Sequence, residues 1–344
     1  MPSDALLVSV ANYPISGHLL RALPGAARDS SRVGNWLRSQ PQPMGVQEFV
    51  WPSAPPPANN VPSWNYRSVE ASLHHLLATG MASPRDRLFL YASAHGRSAP
   101  SAPAMPGIFC ATHGNLLPDV FMSSGWVPQM TAVEVYREYL CFFDCCNDWQ
   151  PGTFPPYNLL NLPPRTDRPS VFVVAACMPN QQALDTPTGG VFTDVLLEAM
   201  SGSAGQPGKT DVTAADVLAY LKENVPLRAA QLKPGHVQNP VEWCDPYSHA
   251  RLEDFVLFQR QVVGPIDVAA LLAGQAAADV EVMDAALQPL GPLSAGPAGE
   301  AFLPPVLPGK YMLREGAGVW SRTIVVKSVV LDDGSVSAVA TARP

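Results

Sequence analysis

Long hydrophobic runs are missing from this 344-residue sequence. No apolar stretch approaches the length of about 18 residues that a membrane-spanning helix needs, and the first residues carry neither a charged leader nor a cleavage site. Basic residues are also scarce, because 22 Lys and Arg stand against 29 Asp and Glu, for a formal charge of −7. The sequence therefore predicts a soluble, cytoplasmic protein that binds neither a membrane nor nucleic acid.

Metal-binding patterns are missing as well. The six cysteines include no pair of Cys-X-X-Cys motifs, and no histidine stands at metal-ligand spacing from them. Three of the six lie in apolar segments that predict strands, which suits reduced thiols better than a disulfide framework. We therefore expect neither a metal nor a cofactor.

The bulk composition is that of a folded protein. Only 15% of the residues are charged and 47% are hydrophobic, a balance that excludes a disordered chain. The length favours a large domain with an appended module. We expect the large domain over residues 1–260 and, after a shift to Ala, Val, Gly and Pro, a linker over 261–300. Residues 301–344, with an Asp333-Gly334 hairpin signal, predict a small antiparallel β-rich module.

Two apolar, β-favouring runs end in residues that can do chemistry. Residues 87–93 lead into Ala94-His95-Gly96, and residues 138–143 lead into Asp144-Cys145-Cys146. Parallel strands that alternate with helices bring their carboxyl ends to one edge of a sheet, where open α/β sheets place their sites. The sequence therefore predicts an α/β fold in which a histidine meets a cysteine, the arrangement of a thiol nucleophile and its base.

The two motifs resemble those of the caspase-like cysteine peptidases. The segment before Gly96 is similar to their Ser-Gly-His-Gly, and Asp144-Cys145-Cys146 is similar to the Asp-X-Cys of the bacterial metacaspase-like branch. The 51 positions between His95 and Cys146 match the caspase separation of about 50. Further segments resemble the family's first strand, the turn after it and its small-subunit half, at residues 5–13, 23–29, 171–177 and 190–193.

The resemblance implies a fold and its subdivision. The expected fold is a caspase-like α/β/α sandwich with a mostly parallel six-stranded sheet. Residues 1–150 would form a large-subunit-like half and residues 170–260 a small-subunit-like half, joined by the proline-rich linker 151–169. Arg165 and Arg168 in that linker are candidate self-cleavage sites.

The resemblance also implies the catalytic roles. Cys146 is the expected nucleophile and His95 the general acid and base. Cys145 is the competing thiol, but strand alternation lets only one of the two face the cleft, and the family pattern selects Cys146. The backbone N–H groups of Gly96 and Cys146 are the expected oxyanion donors.

Asp29 and Asp144 are the specificity candidates. Similar enzymes place acidic residues at both positions to bind Arg or Lys at P1, and two carboxylates also repel an acidic side chain. The alternatives are a helix-start carboxylate for Asp29 and a hydrogen-bonding strand-end residue for Asp144. Arg28 departs from the usual Asn and would neutralise Asp29 if it turned inward.

The function that follows is a cysteine endopeptidase that cleaves protein or peptide substrates after Arg or Lys. The resemblance extends this to a regulated effector of bacterial cell death or antiviral defence, with an immune-type protein as substrate or activator. The competing hypothesis is a catalytically silent caspase-like scaffold that binds a protein partner. Arg28, Asn147 and the Cys145-Cys146 pair leave that alternative open.

Overall fold

The structure is a computed structural model. It describes residues 3–13, 21–40, 44–51, 66–83, 85–97, 106–109, 120–122, 126–128, 130, 135–147, 169–206, 209–244, 251–260, 265–272, 274–284, 287–297, 299–316, 320–330 and 336–342. The four helices that it bounds are α1 Ala26–Ser39, α2 Tyr66–Ala82, α3 Val191–Glu198 and α4 Ala214–Leu232. Within these ranges no helix is both long and apolar enough to cross a lipid bilayer.

Twenty strands are described. The first thirteen are β1 Asp4–Val10, β2 Gly45–Trp51, β3 Arg85–Ser93, β4 Gly96–Arg97, β5 Gly107–Phe109, β6 Val120–Met122, β7 Tyr136–Asp144, β8 Ser170–Ala175, β9 Asp185–Thr186, β10 Gly189–Gly190, β11 Asp211–Thr213, β12 Val241–Cys244 and β13 Val256–Gln259. The remaining seven are β14 Val280–Met283, β15 Pro289–Pro292, β16 Ser294–Ala295, β17 Ala301–Phe302, β18 Gly309–Glu315, β19 Ser321–Val330 and β20 Val336–Ala342.

A six-stranded sheet with the order β12-β8-β7-β3-β1-β2 organises the first part of the chain. Five of its strands pair in parallel and β12 pairs antiparallel with β8. All seven residues of β1 are buried, as expected for a central strand covered on both faces. The predicted α/β fold with a mostly parallel six-stranded sheet is confirmed.

Helices cover both faces of this sheet. Side chains of α2, including Val69 and Leu73, pack with Leu6 and Val8 of β1 in one apolar core. Helix α1 lies against the other face, toward which Leu7 points because successive strand residues alternate. A Cβ placed on Gly34 of α1 would lie 3.1 Å from Leu7 Cδ1.

The chain divides into two compact units. One comprises Met1–Val195 and Leu221–Arg251, and the other comprises Leu196–Tyr220 and Leu252–Pro344. The second unit contains a five-stranded antiparallel sheet with the order β15-β14-β18-β19-β20. Its core includes Val280, Val282, Leu313, Ile324 and Val326. The predicted antiparallel β module is confirmed.

This division differs from the domain boundaries expected from the sequence. Residues 196–220 and 252–260 belong to the second unit, where β11 pairs with β13 and Arg260 Nη1 donates to the Pro308 carbonyl over 2.6 Å. The expected linker over 261–300 contains strands β14 and β15. The apolar alternation of β14 spans only four residues, Val280 to Met283. It lies in a segment rich in Ala, Gly and Pro, so the sequence composition did not predict a strand there.

Candidate active site

Strands β3 and β7 end side by side. They pair in parallel from Arg85 and Tyr136 up to Ser93 and Asp144, which are partners in the register. The Ala94 N–H donates to the Asp144 carbonyl over 3.3 Å and extends the pairing past both ends. The residues that follow, His95 on one side and Cys146 on the other, therefore leave the sheet at the same edge.

A cleft lies at this edge, and both predicted catalytic residues line it. Its walls come from the ends of β3 and β7 and from segments near β9 and β10. The lining residues are Leu23, Ser93, Ala94, His95, Asp144, Cys145, Cys146, Ala183, Asp185 and Gly190.

The imidazole of His95 is held from two directions. The phenol of Tyr13 accepts the His95 backbone N–H over 2.8 Å, and the two rings lie 5.0 Å apart. Nε2 of His95 lies 2.7 Å from the Arg21 carbonyl oxygen. Because a carbonyl can only accept, Nε2 carries the proton of this hydrogen bond, and in the neutral ring Nδ1 is then the acceptor.

The two adjacent cysteines differ in exposure. Cys145 is buried, and burial raises the pKa of its thiol well above the ordinary value. Cys146 is partly exposed, and its sulfur lies 3.9 Å from the Ala183 carbonyl oxygen. Since the thiolate is the reactive form, exposure favours Cys146 as the thiol that meets a substrate.

Gly96 packs directly on the cysteine backbone. A Cβ at this position would lie 2.5 Å from the Cys146 carbonyl oxygen and 2.7 Å from the Cys145 sulfur. Any side chain here would push the His-bearing and Cys-bearing segments apart. Only glycine permits this approach without displacement.

Asp29 is fully buried at the start of α1. Its Oδ2 accepts the Gly190 N–H over 2.7 Å, and its Oδ1 lies 3.6 Å from Arg32 Nη1. Oδ1 is buried and receives no hydrogen bond. Burial, followed by repulsion from Asp144, raises the pKa of Asp29 well above its ordinary value.

Asp144 is the second buried carboxylate of the cleft. Its Oδ2 accepts two hydrogen bonds from Thr193, one from the backbone N–H at 3.2 Å and one from the hydroxyl at 2.6 Å. Burial raises the pKa of Asp144 to about 7, against the lowering effect of the Thr193 hydroxyl. At neutral pH, a positive ligand would therefore favour ionisation of both aspartates.

Gly190 and Gly189 of strand β10 separate the two carboxylates from larger side chains. A Cβ on Gly190 would overlap Asp144 Oδ2 and approach Asp29 Oδ2 to 3.1 Å, and one on Gly189 would overlap Asp29 Oδ1. Gly189 also has φ +138°, a conformation that favours glycine. The pair keeps room beside the carboxylates that any other residue would fill.

Further charges surround this acidic pair. Asp185 lines the same cleft, accepts the Gly25 N–H over 3.4 Å and has its pKa raised by burial. Arg32 Nη1 donates to Asp194 over 2.5 Å while it faces Asp29. Arg28 is exposed, so the cation beside Asp29 is Arg32. Within the described ranges, no three His, Cys, Asp or Glu side chains are placed to share a metal ion.

The structure thus brings His95, Cys146 and Asp144 to one cleft, with Asp29 and Gly96 in contact with its walls. Arg165 and Arg168 lie outside the described residues. Sequence reasoning missed Arg32, although its i+3 spacing from Asp29 on a helix was a usable signal. It also assigned no role to Asp185 or Thr193, whose positions depend on contacts distant in sequence.

No protein-family model matches the sequence, and no match was found among curated proteins. Solved structures with a similar backbone include caspase-1 from Spodoptera frugiperda, which is 16% identical, with 75% of this chain and 90% of that chain covered and a TM-score of 0.48. Protein GSU0716 from Geobacter sulfurreducens is 15% identical, with 75% of this chain and 100% of that chain covered and a TM-score of 0.46.

Proposed function

We propose that this protein is a cysteine endopeptidase that cleaves protein substrates after Arg or Lys. The observation that carries the proposal is one cleft lined by His95, the partly exposed Cys146 and the buried Asp144. A second buried carboxylate, Asp29, accepts a hydrogen bond from Gly190 of its wall. Buried carboxylates with raised pKa values cost stability, and such costs concentrate at functional sites.

The chemistry follows from the proton positions. With Nε2–H bonded to the Arg21 carbonyl, Nδ1 of His95 is the site that takes the proton of the Cys146 thiol. The thiolate attacks the peptide carbonyl, and the imidazolium gives its proton to the leaving amine. Water, deprotonated by the same imidazole, then hydrolyses the thioester and restores both residues.

Specificity for a basic P1 side chain follows from the buried acids. Asp29 Oδ1 is an acceptor without a hydrogen-bond donor, and a guanidinium or ammonium group supplies donors together with a compensating charge. Binding such a cation lowers the raised pKa values of Asp29 and Asp144. An acidic P1 side chain meets only repulsion there.

Covalent labelling tests this function. A peptide acyloxymethyl ketone ending in Arg is expected to label the protein at Cys146, at least tenfold faster than the matched peptide ending in Asp. Cys146→Ala should abolish labelling and cleavage of Arg peptides, whereas Cys145→Ala, which removes a buried thiol, should retain the labelled position. The modified residue is identified by peptide mass spectrometry.

Three outcomes would contradict all or part of the proposal. Full cleavage of Arg peptides by the Cys146→Ala variant would reject Cys146 as nucleophile. No labelling by either peptide would favour the catalytically silent scaffold. Preference for the Asp peptide would keep the nucleophile and overturn the basic specificity.

A further inference from the structure

A buried chain of hydrogen bonds runs from β3 through the start of α3 to Asp144. The Tyr91 and Thr193 hydroxyl oxygens lie 2.6 Å apart, and the Thr193 hydroxyl donates to Asp144 Oδ2 over 2.6 Å. Tyr91 and Thr193 are both fully buried. Because Thr193 has one hydroxyl proton and gives it to the carboxylate, Tyr91 must donate to Thr193. Each hydroxyl in this series of hydrogen bonds therefore donates in the direction of the Asp144 carboxylate.

The other charges near Asp144 oppose its ionisation. Asp185 and Asp194 both raise its pKa, and Asp144 in turn raises the pKa of Asp29 by like-charge repulsion. Burial raises the pKa of the Tyr91 phenol, which keeps it neutral. His95 and the thiols of Cys145 and Cys146 line the same cleft. Arg32 faces Asp29 and Asp194.

Thr193 acts in the opposite direction. Its hydroxyl and its backbone N–H both lower the pKa of Asp144, because hydrogen bonds donated to a carboxylate favour the charged form. Both donors also converge on Oδ2, which fixes the carboxylate plane and leaves Oδ1 as the second acceptor. A short bond to an ionised acceptor is stronger than one between neutral groups.

We propose that Thr193 is a positioning residue for the P1 pocket, which keeps Asp144 charged and oriented to receive a basic side chain, with Tyr91 directing the Thr193 proton. This role rests on the proposed peptidase function. Thr193 touches neither the nucleophile nor the substrate in this role; it acts through Asp144. Residues 190–193 resemble a segment of the caspase-like family, but the sequence assigned Thr193 no role, because its contact with Asp144 spans 49 positions.

The test compares Thr193→Val, which removes the hydroxyl from a side chain of the same shape, with Thr193→Ser, which restores it. The measured quantity is the ratio of labelling rates for a peptide ketone ending in Arg and one ending in citrulline, from pH 5 to 9. Citrulline is a neutral analogue of Arg, so the thiol reactivity of Cys146 cancels in the ratio. The ratio should rise with pH as Asp144 ionises.

We expect the midpoint of that rise near pH 7 in the wild type and in Thr193→Ser. In Thr193→Val it should move upward by about one pH unit or more, because a hydrogen bond to the charged form is lost, and the ratio at pH 7 should fall about fivefold or more. Tyr91→Phe should move the midpoint in the same direction by less. The rate of Cys146 alkylation by iodoacetamide should change little in all three variants.

The outcomes separate the two proposals. A wild-type protein that prefers Arg, together with an unmoved midpoint in Thr193→Val, would overturn the role of Thr193 and leave the peptidase intact. A wild-type protein that shows no preference at any pH would overturn both. If Thr193→Val does not fold, an unmoved midpoint in Tyr91→Phe would refute the directed hydrogen-bond chain by itself.

Discussion

At the scale of single residues, two buried acids in and beside the cleft are unfavourable to the folded state. Asp29 and Asp144 are buried with raised pKa values, so each costs more free energy as a carboxylate here than in the unfolded chain. A purely structural role for either would be met as well by Asn. The free-energy cost of burying these carboxylates is explained if their charge binds a positively charged ligand.

Replacement of Asp144 by Asn should stabilise the protein at alkaline pH. The unfolded pKa of Asp is about 3.9 and the folded pKa of Asp144 is about 7. Between those values the folded state binds more protons, so wild-type stability falls as the pH rises through that window. The variant should show a smaller fall between pH 5 and 8 and a gain of about 1–3 kcal/mol at pH 8.

Urea unfolding at both pH values measures this. Thr188→Val, which alters an exposed hydroxyl beside Thr186, serves as a control that should keep the wild-type slope. Equal slopes for wild type and Asp144→Asn would mean that Asp144 is ionised normally in the folded protein.

The ends of two strands were enough to bring His95, Asp144 and Cys146 together at one cleft. Alternation was expected to turn only one cysteine toward it, but Cys145 and Cys146 both line it and differ in exposure. The sequence assigned no role to Thr193 and Asp185, which lie on α3 and β9. Their contribution depends on tertiary packing, which no local pattern in the sequence encodes.

At the scale of elements, the sequence predicts the long buried strands but not the short ones. Strands β1, β3, β7 and β8 correspond to apolar runs with β-favouring residues. Strands β4, β9 and β10 have two residues each, too few to show any periodicity. Yet β9 and β10 bring Asp185 and Gly190 to the cleft, so part of the site rests on strands too short to show a periodic pattern.

The contact between β4 and the cysteine segment should be intolerant of a methyl group. Gly96→Ala would place a Cβ against the Cys146 carbonyl oxygen and the Cys145 sulfur. We expect a loss of about 1–3 kcal/mol in the free energy of unfolding, as for other overpacked sites, and at least tenfold slower labelling by the Arg peptide. Chemical denaturation and labelling rates measure the two effects.

Gly316→Ala is the matched control, because the nearest atom to its added Cβ lies at an ordinary 3.8 Å. It should leave both quantities close to wild type. Unchanged labelling in Gly96→Ala would show that the two segments can separate without consequence for the cleft.

At the scale of the whole molecule, the two compact units have different sources of stability. The first has a sheet buried on both faces. The second is stabilised in part by Arg260, which is buried and donates to the carbonyls of Gln206, Lys209 and Pro308. Sequence composition marked a change near residue 264, whereas residues 196–220 also belong to the second unit. Composition does not show this, because the hydrogen bonds that Arg260 donates reach residues about 50 positions away.

Removal of this guanidinium should destabilise the second unit. Arg260→Leu leaves the buried Pro308 carbonyl and the partly buried carbonyls of Gln206 and Lys209 without this donor, and we expect a loss of about 2–4 kcal/mol. The control Arg314→Leu removes an exposed pair with Glu281 at 3.4 Å and should change stability by about 0.5 kcal/mol or less. Calorimetric melting of the full chain measures both, and equal melting temperatures for the two variants would refute the anchoring role.

The unbroken pairing of β3 with β7 has a consequence for how this chain tolerates length changes. Adding or deleting one residue inside either strand would shift its end forward or back by about 3.3 Å and turn every later side chain to the opposite face. The His95 imidazole and the Cys146 sulfur would then no longer lie at the same cleft, even though both residues remained in the sequence. Insertions in the stretch between these strands carry no such penalty, so a homologue with a very different His-to-Cys count can preserve the same chemistry if its strands keep their length.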